Sequence, residues 1–578
     1  MRRLFWLPLW VVTVAVIIMS LAVFQPAPRP RPAVPDVPGE HGFVVAALRA
    51  ARAGGDLDRA AELQGRLADR AFSAAERTAR TWMGLRDPRF GLLPREVAPA
   101  AARWNYADVA ADCYSHIVIA AHLLAPDLLP ALRDMLEVER RISPEFASVN
   151  LATGEVAAED ANSRYYGAVE YAKDGLLPIL ESLGETPWAE RLNQVVEQVW
   201  TGSSRATGGG TVVLDKAEKN GEMLQLLARL WHRTRDPRYL ARGRGIVEAY
   251  INQVFPLTQG LVPRIFDFAA GRVRDARIGL RDHGNEMIAG LVEWILVERA
   301  APDSRTAAYA PAVERLLDRL LEDGRRRNGL WLNVVGEGGR ATDLLNDTWG
   351  YLASAYAAYS SLLAEGDPRR ARYLAAARQS LSAAATQRGA NWEYGRMDGF
   401  ADSIEGALYV IAIFDEPAAE DWVDEEIGRL LAYAGPDGFV GGNYLDGNFI
   451  RTCLLYALWK TAGIRPVPWQ RGLRIGAERD DSSWRISVET DEPWQGVVRF
   501  DGSRHRETLQ LTENYPRLNS WPEWLAVEAG TIYQLEDRTA ASPTSISGAD
   551  LRRGWPVSLN AGERLAWRLR RIGVPGPP

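Results

Sequence analysis

The chain has 578 residues, of which 47% are hydrophobic and 25% charged, and its 68 Lys and Arg against 74 Asp and Glu leave a formal net charge of −6. This composition is that of a folded chain rather than a disordered, collagen-like or coiled-coil one. The absence of a basic excess argues against nucleic acid as a partner. The two cysteines, Cys113 and Cys453, are too few for a disulfide framework, and neither lies in a metal-binding motif. We therefore expect no metal and no cofactor.

The amino terminus is predicted to target the chain to a membrane. Arg2 and Arg3 precede an uncharged run over residues 4–24, which as a helix would span about 30 Å, the thickness of a bilayer core. Residues 1–25 are therefore predicted to be a transmembrane anchor, with a cleaved signal peptide as the alternative. Residues 26–40 are rich in proline and are predicted to be an extended linker. We expect the body to lie outside the cytoplasm, in the periplasm or at the cell surface, although arginines on both sides of the run leave its orientation open.

Residues 41–465 alternate between two kinds of predicted helix. Segments such as 285–294, 349–356 and 404–411 are apolar nearly all round, which is typical of buried helices. Segments such as 311–325 and 368–379 have a narrower apolar stripe, which is typical of a solvent-facing layer. The alternation repeats about every 45 to 65 residues, as expected for stacked helical hairpins. The pattern predicts a mainly α fold, an α/α toroid of six or seven hairpins, with an open solenoid as the alternative.

The pattern changes near Pro466, and residues 466–578 are predicted to form a small antiparallel β domain. Alternating apolar and polar residues at 484–489, 508–511, 524–528 and 565–569 predict strands with one buried face. Gly, Asp and Asn separate these segments at short intervals, as expected for turns between antiparallel strands.

Helical hairpins with polar clusters at the buried-helix starts, followed by a β domain, resemble the six-hairpin glycosidase-like superfamily. The motifs at 345–351 (Leu-Asn-Asp-Thr-Trp-Gly-Tyr), 398–405 and 446–452 are also similar to those of exported bacterial proteins of unassigned activity. The resemblance covers about residues 42–573. It implies a fold and a carbohydrate ligand, and no catalytic motif of the family transfers residue by residue.

The inner helices of a toroid run parallel, so the polar clusters at their starts should converge at one rim. A ring of carboxylates, amides and aromatic rings around an apolar funnel is what a polar, flat-faced ligand such as a sugar requires. The catalytic candidates are Glu286, Asp347, Asp398 and Asp402. The substrate-binding candidates are Tyr166, His283, Trp349, Glu405, Asn448 and Arg451.

Each acidic candidate also has a structural interpretation. Asp402 and Glu405 have the spacing of a capping box, and Asp282 and Asp347 precede apolar helices as N-caps do. Capping does not explain why Asp398, Asp402 and Glu405 recur at i, i+4 and i+7, which places them on one face of a helix that starts early enough. Three like charges on one face favour a raised carboxyl pKa, which a general acid needs.

Three classes of function follow from this rim. The most favoured is a glycoside hydrolase in which one carboxyl group protonates the leaving oxygen and another activates water. The first alternative is a polysaccharide lyase, with Tyr166 or His283 as base and Asn285 or Arg451 neutralising a uronate. The second is a non-catalytic glycan-binding or scaffold protein. The sequence does not indicate which sugar is bound or the oligomeric state.

Overall fold

A computed structural model describes the body of the chain. The described residues are 34–98, 102–336, 344–440, 442, 444–537 and 542–573. The predicted anchor over residues 1–25 and most of the predicted linker lie outside these ranges. Within them, no helix combines the length and the hydropathy needed to cross a bilayer.

Helices make up most of the described body. In chain order they are α1 Gly39–Ala53, α2 Leu57–Met83, α3 Ser115–Leu124, α4 Leu129–Ile142, α5 Ala161–Glu170, α6 Leu177–Leu183, α7 Pro187–Ser203, α8 Ala217–Thr234, α9 Pro237–Ala249, α10 Phe255–Thr258, α11 Glu286–Ala300, α12 Thr306–Asp323, α13 Trp349–Ser360, α14 Pro368–Ala385, α15 Met397–Ile411, α16 Pro417–Leu431, α17 Asn448–Lys460, α18 Arg504–Glu507 and α19 Gly548–Arg553. A π-helical segment immediately precedes each of α3, α6 and α10. These segments are Tyr106–Tyr114, Tyr171–Leu176 and Tyr250–Val254.

The inner helices form a closed ring. α3 packs against the α5–α6 segment, which packs against α8, and the series continues through α11, α13, α15 and α17. α17 packs in turn against α3, which closes the ring. The predicted toroid is therefore confirmed, with seven inner helices in the described part of the chain.

The outer layer consists of α2, α4, α7, α9, α12, α14 and α16, and a side-chain N-cap begins four of these helices, α2, α7, α9 and α14. Asp236 and Asp367 are the N-caps of α9 and α14, and their side chains accept hydrogen bonds from the backbone N–H groups of Arg238 and Arg369. A proline occupies the first turn in both cases, where its missing N–H has no intrahelical partner to lose. α1 packs on α2 and α16, at the seam between the first and last hairpins.

Glycines allow two pairs of inner helices to approach closely. A Cβ atom added to Gly350 of α13 would lie 2.3 Å from the Cα of Gly406 in α15. A Cβ atom added to Gly221 of α8 would lie equally close to the Cα of Met287 in α11. The ring is therefore as tight as backbone contact allows at these two seams.

The strands form small antiparallel sheets, mostly in the predicted β domain. They are β1 Arg103–Trp104, β2 Val149–Asn150, β3 Arg205–Ala206, β4 Thr211–Val212, β5 Ile265–Asp267, β6 Arg272–Asp275, β7 Ile278–Gly279, β8 Val334–Val335, β9 Arg465–Val467, β10 Leu473–Asp480, β11 Ser483–Thr490, β12 Trp494–Arg499, β13 Ile532–Asp537, β14 Thr544–Ser547, β15 Trp555–Leu559 and β16 Arg564–Gly573.

Two sheets build the β domain, one in the order β10-β11-β16-β13-β14 and one in the order β15-β12-β9. The edge strand β10 packs against α2, which attaches the domain to the toroid. The strands predicted at 484–489 and 565–569 are confirmed within β11 and β16. The strands predicted at 508–511 and 524–528 are wrong. Residues 508–521 leave the sheets and pack against the helices, whereas Leu525 and Val527 pack in the core of the β domain, where Ala526 forms an isolated bridge to Asp501 rather than a strand.

The segment that leaves the sheets closes one end of the toroid. Leu518 is fully buried against Ala289, Tyr351 and Tyr409, which belong to three different inner helices. Arg229 near the end of α8 donates a hydrogen bond of 2.7 Å to the Leu518 carbonyl oxygen. Arg517 pairs at 2.5 Å with the buried Glu181 of α6. The segment that carries Arg517 and Leu518 therefore fills the interior of the ring and reaches the first turns of α11 and α13.

Gly350→Ala should destabilise the protein by about 1–3 kcal/mol or more, because the added methyl group meets backbone that cannot move aside. Gly366→Ala is the control, since nothing lies within 4 Å of a Cβ atom added there. Chemical denaturation of both variants measures the effect. Equal stability of the two variants would show that α13 and α15 are not held this close.

Candidate functional site at the inner-helix rim

Carboxyl groups from three consecutive inner-helix starts meet at the rim. We call Asp347, Glu393, Asp398, Asp402 and Asp446 the Asp398 cluster. Asp347 and Asp446 lie just before α13 and α17, Glu393 lies in the turn before α15, and Asp398 and Asp402 lie on α15 itself. The helix begins at Met397, so the predicted common face of Asp398, Asp402 and Glu405 is confirmed.

Two side chains hold the outer part of the cluster in place. Arg281 donates a hydrogen bond of 2.7 Å to Asp347 and lies 3.3 Å from a carboxylate oxygen of Glu393. Asn448 Nδ2 donates a hydrogen bond of 2.7 Å to Asp398. Asp398 and Asn448 are half-buried, so they remain accessible from the rim.

Arg451 organises the deeper part of the site. Its guanidinium lies 2.7 Å from Asp402 and 3.1 Å from Glu405, and all three side chains are almost completely buried. The hydroxyl groups of Tyr351 and Tyr409 also donate to Glu405, at 2.8 and 2.5 Å. Tyr351 and Tyr409 also contact Leu518, so this network lies against the segment that fills the ring.

The Asp398 carboxylate contributes to raised pKa values of the neighbouring carboxyl groups. Burial raises the pKa of Asp347 to about 6 and that of Glu393 to about 7, and Asp398 adds to both shifts while Arg281 opposes them. Burial and then Asp398 likewise raise the pKa of Asp446 to about 7. The pKa of Asp402 is also raised by burial and by Asp398, against the opposing effect of Arg451. Several of these groups therefore bind protons near neutral pH.

The turn that carries Glu393 is strained. Glu393 and Tyr394 both have positive φ values, 41° and 60°, a region that side chains other than glycine rarely adopt. Such strain concentrates at functional sites, where the surrounding structure holds it. Tyr394 is 45% exposed, and Tyr444, which lies close to Asp398, is 40% exposed. The rim therefore offers aromatic faces beside its carboxyl groups.

A second charged group lies next to the first. Lys173 is buried and pairs with Glu286 at 2.5 Å and with Asp174 at 3.0 Å. Gln225 donates a hydrogen bond of 2.7 Å to the other oxygen of Glu286. Burial raises the pKa of Asp112, and both Asp446 and Asp174 add to the shift, so Asp112 lies between this group and the Asp398 cluster.

The structure also brings together three carboxylates with the spacing of a metal site. Oxygen atoms of Glu170, Asp174 and Glu222 lie within 4.8 Å of one another. The ammonium group of Lys219 pairs with both Glu170 and Glu222, and Lys173 pairs with Asp174. Because two lysines already neutralise these oxygens, the donor set gives no reason to add a metal ion.

Three predicted site residues, Glu286, Trp349 and Glu405, are buried and bonded to neighbouring side chains. Trp349 is fully buried, and its indole N–H donates to Ser403 at 2.9 Å, so its ring is not available to a sugar. Glu286 has both oxygens occupied and is buried at a helix contact. Glu405 is buried beneath the rim by its three partners. These three were singled out because they start or follow inner helices, which is also where helices pack.

Tyr166 lies at the rim but on its far side. Its hydroxyl donates to Glu218 at 2.6 Å, and the ammonium groups of Lys216 and Lys219 lie 4.1 and 3.9 Å from the centre of its ring. Burial is the largest cause of a raised Tyr166 pKa, which works against its use as a base. His283 lies in the turn before α11, and its side chain is outside the described part of the structure.

The capping interpretation of the acidic candidates is wrong. The α15 helix begins five residues before Asp402, and Arg396 occupies its N-cap position. Thr348 rather than Asp347 is the N-cap residue of α13, and Asn285 rather than Asp282 precedes α11. The sequence signal failed because apolar periodicity does not reveal a first helical turn that is polar.

Sequence reasoning also missed four members of the site. Glu393 lies in a short turn without a motif, Arg281 and Lys173 are isolated cations, and Asp446 was read only as part of a longer segment. The one feature of the sequence that could have indicated these four residues is their position, since each lies shortly before or within the start of an inner helix. Their roles depend on neighbours that are distant in sequence.

No protein-family model and no curated protein sequence matches the chain. Among solved structures, a possible member of the GH105 family from Salmonella enterica aligns with 51% of this chain and 81% of its own, at 13% identity and a TM-score of 0.38. The unsaturated glucuronyl hydrolase from Bacillus sp. GL1 aligns with 55% of this chain and 84% of its own, at 15% identity and a TM-score of 0.34.

The GH76A alpha-1,6-mannanase from Salegentibacter sp. HEL1_6 aligns with 67% of this chain and 98% of its own, at 14% identity and a TM-score of 0.36. These identities and TM-scores are too low to support an argument about the activity of this chain.

Arg451→Met should lower the free energy of unfolding by about 3–5 kcal/mol, because it leaves Asp402 and Glu405 buried without their cation. Arg319→Met is the control, since Arg319 forms an exposed pair with Asp323 on α12 and should cost about 0.5 kcal/mol or less. Urea denaturation at neutral pH measures both. If Arg451→Met were as stable as the control, Arg451 would not be compensating buried charge.

Proposed function

We propose that the chain is a glycoside hydrolase whose active site is the Asp398 cluster. The observation that supports it best is a set of carboxyl groups with different environments at one accessible rim. Glycoside hydrolysis needs one carboxyl group that is protonated near neutral pH and a second that is ionised. Elevated pKa values at Asp347, Glu393 and Asp446 supply the first kind of group.

Glu393 is the best candidate for the general acid. Its pKa is raised to about 7. Arg281 and Arg396 lie 3.3 and 3.4 Å from one of its carboxylate oxygens, and the other oxygen is buried with no hydrogen-bond partner among the described residues. Its side chain is partly exposed, whereas Asp347 is almost fully buried and bonded to Arg281 and to the backbone N–H of Thr348. Glu393 is therefore the more accessible of the two to a leaving oxygen.

Asp398 is the best candidate for the base that activates water. It is half-buried, lies close enough to Glu393 to shift its titration, and is oriented by Asn448. Tyr394 and Tyr444 lie beside the pair and are partly exposed. Arg95 lies over one face of Tyr444, 4.4 Å from the ring centre, so a sugar ring would stack on the other face. Asp402, paired with Arg451, has the role of holding α15 and α17 together beneath the reacting groups.

The lyase alternative is less well supported. Elimination requires a cation that is free to neutralise a uronate carboxylate, and Arg451 is already paired with Asp402 and Glu405. Asn285 is buried and donates to backbone and side-chain oxygens of neighbouring turns. The Tyr166 hydroxyl group donates a hydrogen bond to Glu218, so it is not free to act as the base.

Glu393→Gln should lower turnover about a hundredfold or more while leaving the thermal midpoint nearly unchanged, because glutamine keeps the shape but cannot donate the proton. The wild-type rate should fall as the pH rises through about 7, where Glu393 deprotonates. Asp398→Asn should be similarly impaired. Glu137→Gln, on the exposed face of α4, is the matched control and should be fully active.

The assay uses a panel of neutral, amino and acidic polysaccharides. New reducing ends without ultraviolet-absorbing products would indicate hydrolysis, and unsaturated products would indicate a lyase. Binding without either product would indicate a non-catalytic glycan-binding protein. Full activity of Glu393→Gln on the cleaved substrate would move the acid to Asp347 or Asp446.

We also propose that residues 1–25 anchor the protein in a membrane, with the body outside the cytoplasm. The support is the uncharged run over residues 4–24 and the prolines that follow it. Residues 34–38 already contact the toroid, since Arg429 donates a hydrogen bond of 3.0 Å to the Pro35 carbonyl oxygen. A truncation that tests the anchor should therefore begin at Val34.

A chain of residues 34–578 should be soluble and keep the wild-type unfolding midpoint, whereas the full chain should fractionate with membranes. Val14→Arg in the full chain is the control, because a charge at the centre of the span disfavours insertion by about 2.5–3.5 kcal/mol. A reporter enzyme that is active only outside the cytoplasm, fused after the last strand, should be active. Membrane association of the truncated chain would contradict the proposal.

A further inference from the structure

The loop that leads into α17 carries several groups of the proposed site. Tyr444 and Asp446 lie in this loop, and Asn448 begins the helix that follows it. Asp446 belongs to the Asp398 cluster, and Asn448 donates a hydrogen bond to Asp398. Apart from one isolated bridge, residues 444–447 belong to neither a helix nor a strand, so contacts with other parts of the chain fix their position.

Arg95, in the connection that follows α2, holds this loop from the first hairpin. Its backbone carbonyl oxygen accepts a hydrogen bond of 3.0 Å from the Leu445 N–H group, and its guanidinium group donates a hydrogen bond to the Leu445 carbonyl oxygen. The next residue, Glu96, forms the isolated β-bridge with Tyr444. The first and last hairpins of the toroid are therefore joined at the rim itself.

The first hairpin also fixes the position of Arg95. The Arg95 backbone N–H group donates a hydrogen bond of 2.7 Å to the Arg103 carbonyl oxygen, and the guanidinium group lies 3.1 Å from a carboxylate oxygen of Asp108. Only 16% of the Arg95 side chain is exposed. A planar guanidinium group with several partners is a rigid support for a group that packs against it.

The group that packs against Arg95 is the ring of Tyr444. The guanidinium carbon lies 4.4 Å from the ring centre, a distance at which a cation is attracted to an aromatic face. Tyr444 nevertheless remains 40% exposed, as expected for a ring with one face covered and the other open. Burial raises the pKa of Tyr444, and the nearby carboxyl groups of Asp446 and Asp398 add to the shift. The ring therefore lies beside the Asp398 cluster.

We propose that Arg95 is a positioning residue of the rim, which holds the Tyr444 ring beside Asp398 so that its open face binds a sugar ring of the substrate. The inference rests on the proposed site and adds to it a residue from the first hairpin. Arg95 itself does not contact the substrate, because its guanidinium group lies against the covered face. Its substitution should therefore weaken glycan binding through Tyr444.

Binding and kinetics of the full chain in a polyoxyethylene detergent, which has no sugar headgroup, test this inference. The probes are galactomannan, glycol chitosan and polygalacturonate, and retardation in native gels that contain each polysaccharide gives the dissociation constant. For the probe that binds, we expect Tyr444→Leu to weaken binding about tenfold or more and Arg95→Lys about fivefold, because lysine keeps the charge but loses the planar contact. If the probe is cleaved, both variants should raise KM more than they lower kcat.

A double-mutant cycle separates the positioning of the ring from any other effect of Arg95. The double variant with Arg95→Lys and Tyr444→Leu should bind as weakly as Tyr444→Leu alone, since Arg95 then has no ring to hold. Arg242→Lys is the matched control and should bind like the wild type. The Arg242 side chain is 13% exposed, pairs with Glu197 and lies 5.2 Å from the ring centre of Trp200 in the outer layer.

Additive losses in the double variant would overturn the proposal, as would unchanged binding by Arg95→Lys. Tyr444→Phe keeps a ring face and should lose less affinity than Tyr444→Leu, so equal losses in these two variants would also overturn it. Arg95→Gln takes the place of Arg95→Lys in the cycle if that variant does not fold. Failure of the wild-type chain to bind any of the three probes would overturn the inference as well.

Failure of this inference is distinguishable from failure of the proposed function. Hydrolysis that depends on Glu393, with a KM that Tyr444→Leu leaves unchanged, would keep the hydrolase and remove the role of Arg95. Glycan binding that follows the expected cycle, without hydrolysis of any probe, would keep the role of Arg95 and remove the hydrolase.

Discussion

The buried guanidinium of Arg451 is the contact on which the rim depends. α15 carries three carboxylates on one face, and two of them, Asp402 and Glu405, lie in the interior of a closed ring of helices. Two buried carboxylates without a cation would cost several kcal/mol each in lost hydration. Arg451 of the neighbouring α17 compensates both, which lets α15 pack tightly and leaves Asp398 to face the rim.

The interior of the ring is filled by a different part of the chain. The segment that carries Leu518 and Arg517 leaves the β domain and packs against the ends of the inner helices, where Arg229 and Glu181 bind it. The same Tyr351 and Tyr409 rings that contact Leu518 donate hydrogen bonds to Glu405. The toroid and the β domain are therefore linked through the Arg451 network.

The ion pairs at the rim distinguish the candidate functions better than the types of residue present there do. Tyrosine, arginine and asparagine are all present at the rim, as a lyase would require, but Tyr166 and Arg451 are engaged with the protein's own carboxylates. Around Asp398, by contrast, several carboxyl groups lie close together. The proximity of Asp398 adds to the raised pKa values of Glu393 and Asp446. This crowding of carboxyl groups is consistent with the acid and base chemistry proposed for the site.

The sequence by itself determined the helical repeat, the change to strands near Pro466 and the face shared by Asp398, Asp402 and Glu405, because these depend on periodicity within one segment. It also placed the candidate site at the inner-helix starts. Only the tertiary structure decided that Glu286 and Trp349 are buried at helix contacts and that Glu393 lies beside Arg281 and Asp347. Burial, counter-charge and pKa depend on neighbours from other helices, such as Arg281 beside Glu393 and Lys173 beside Glu286, and no local pattern encodes them.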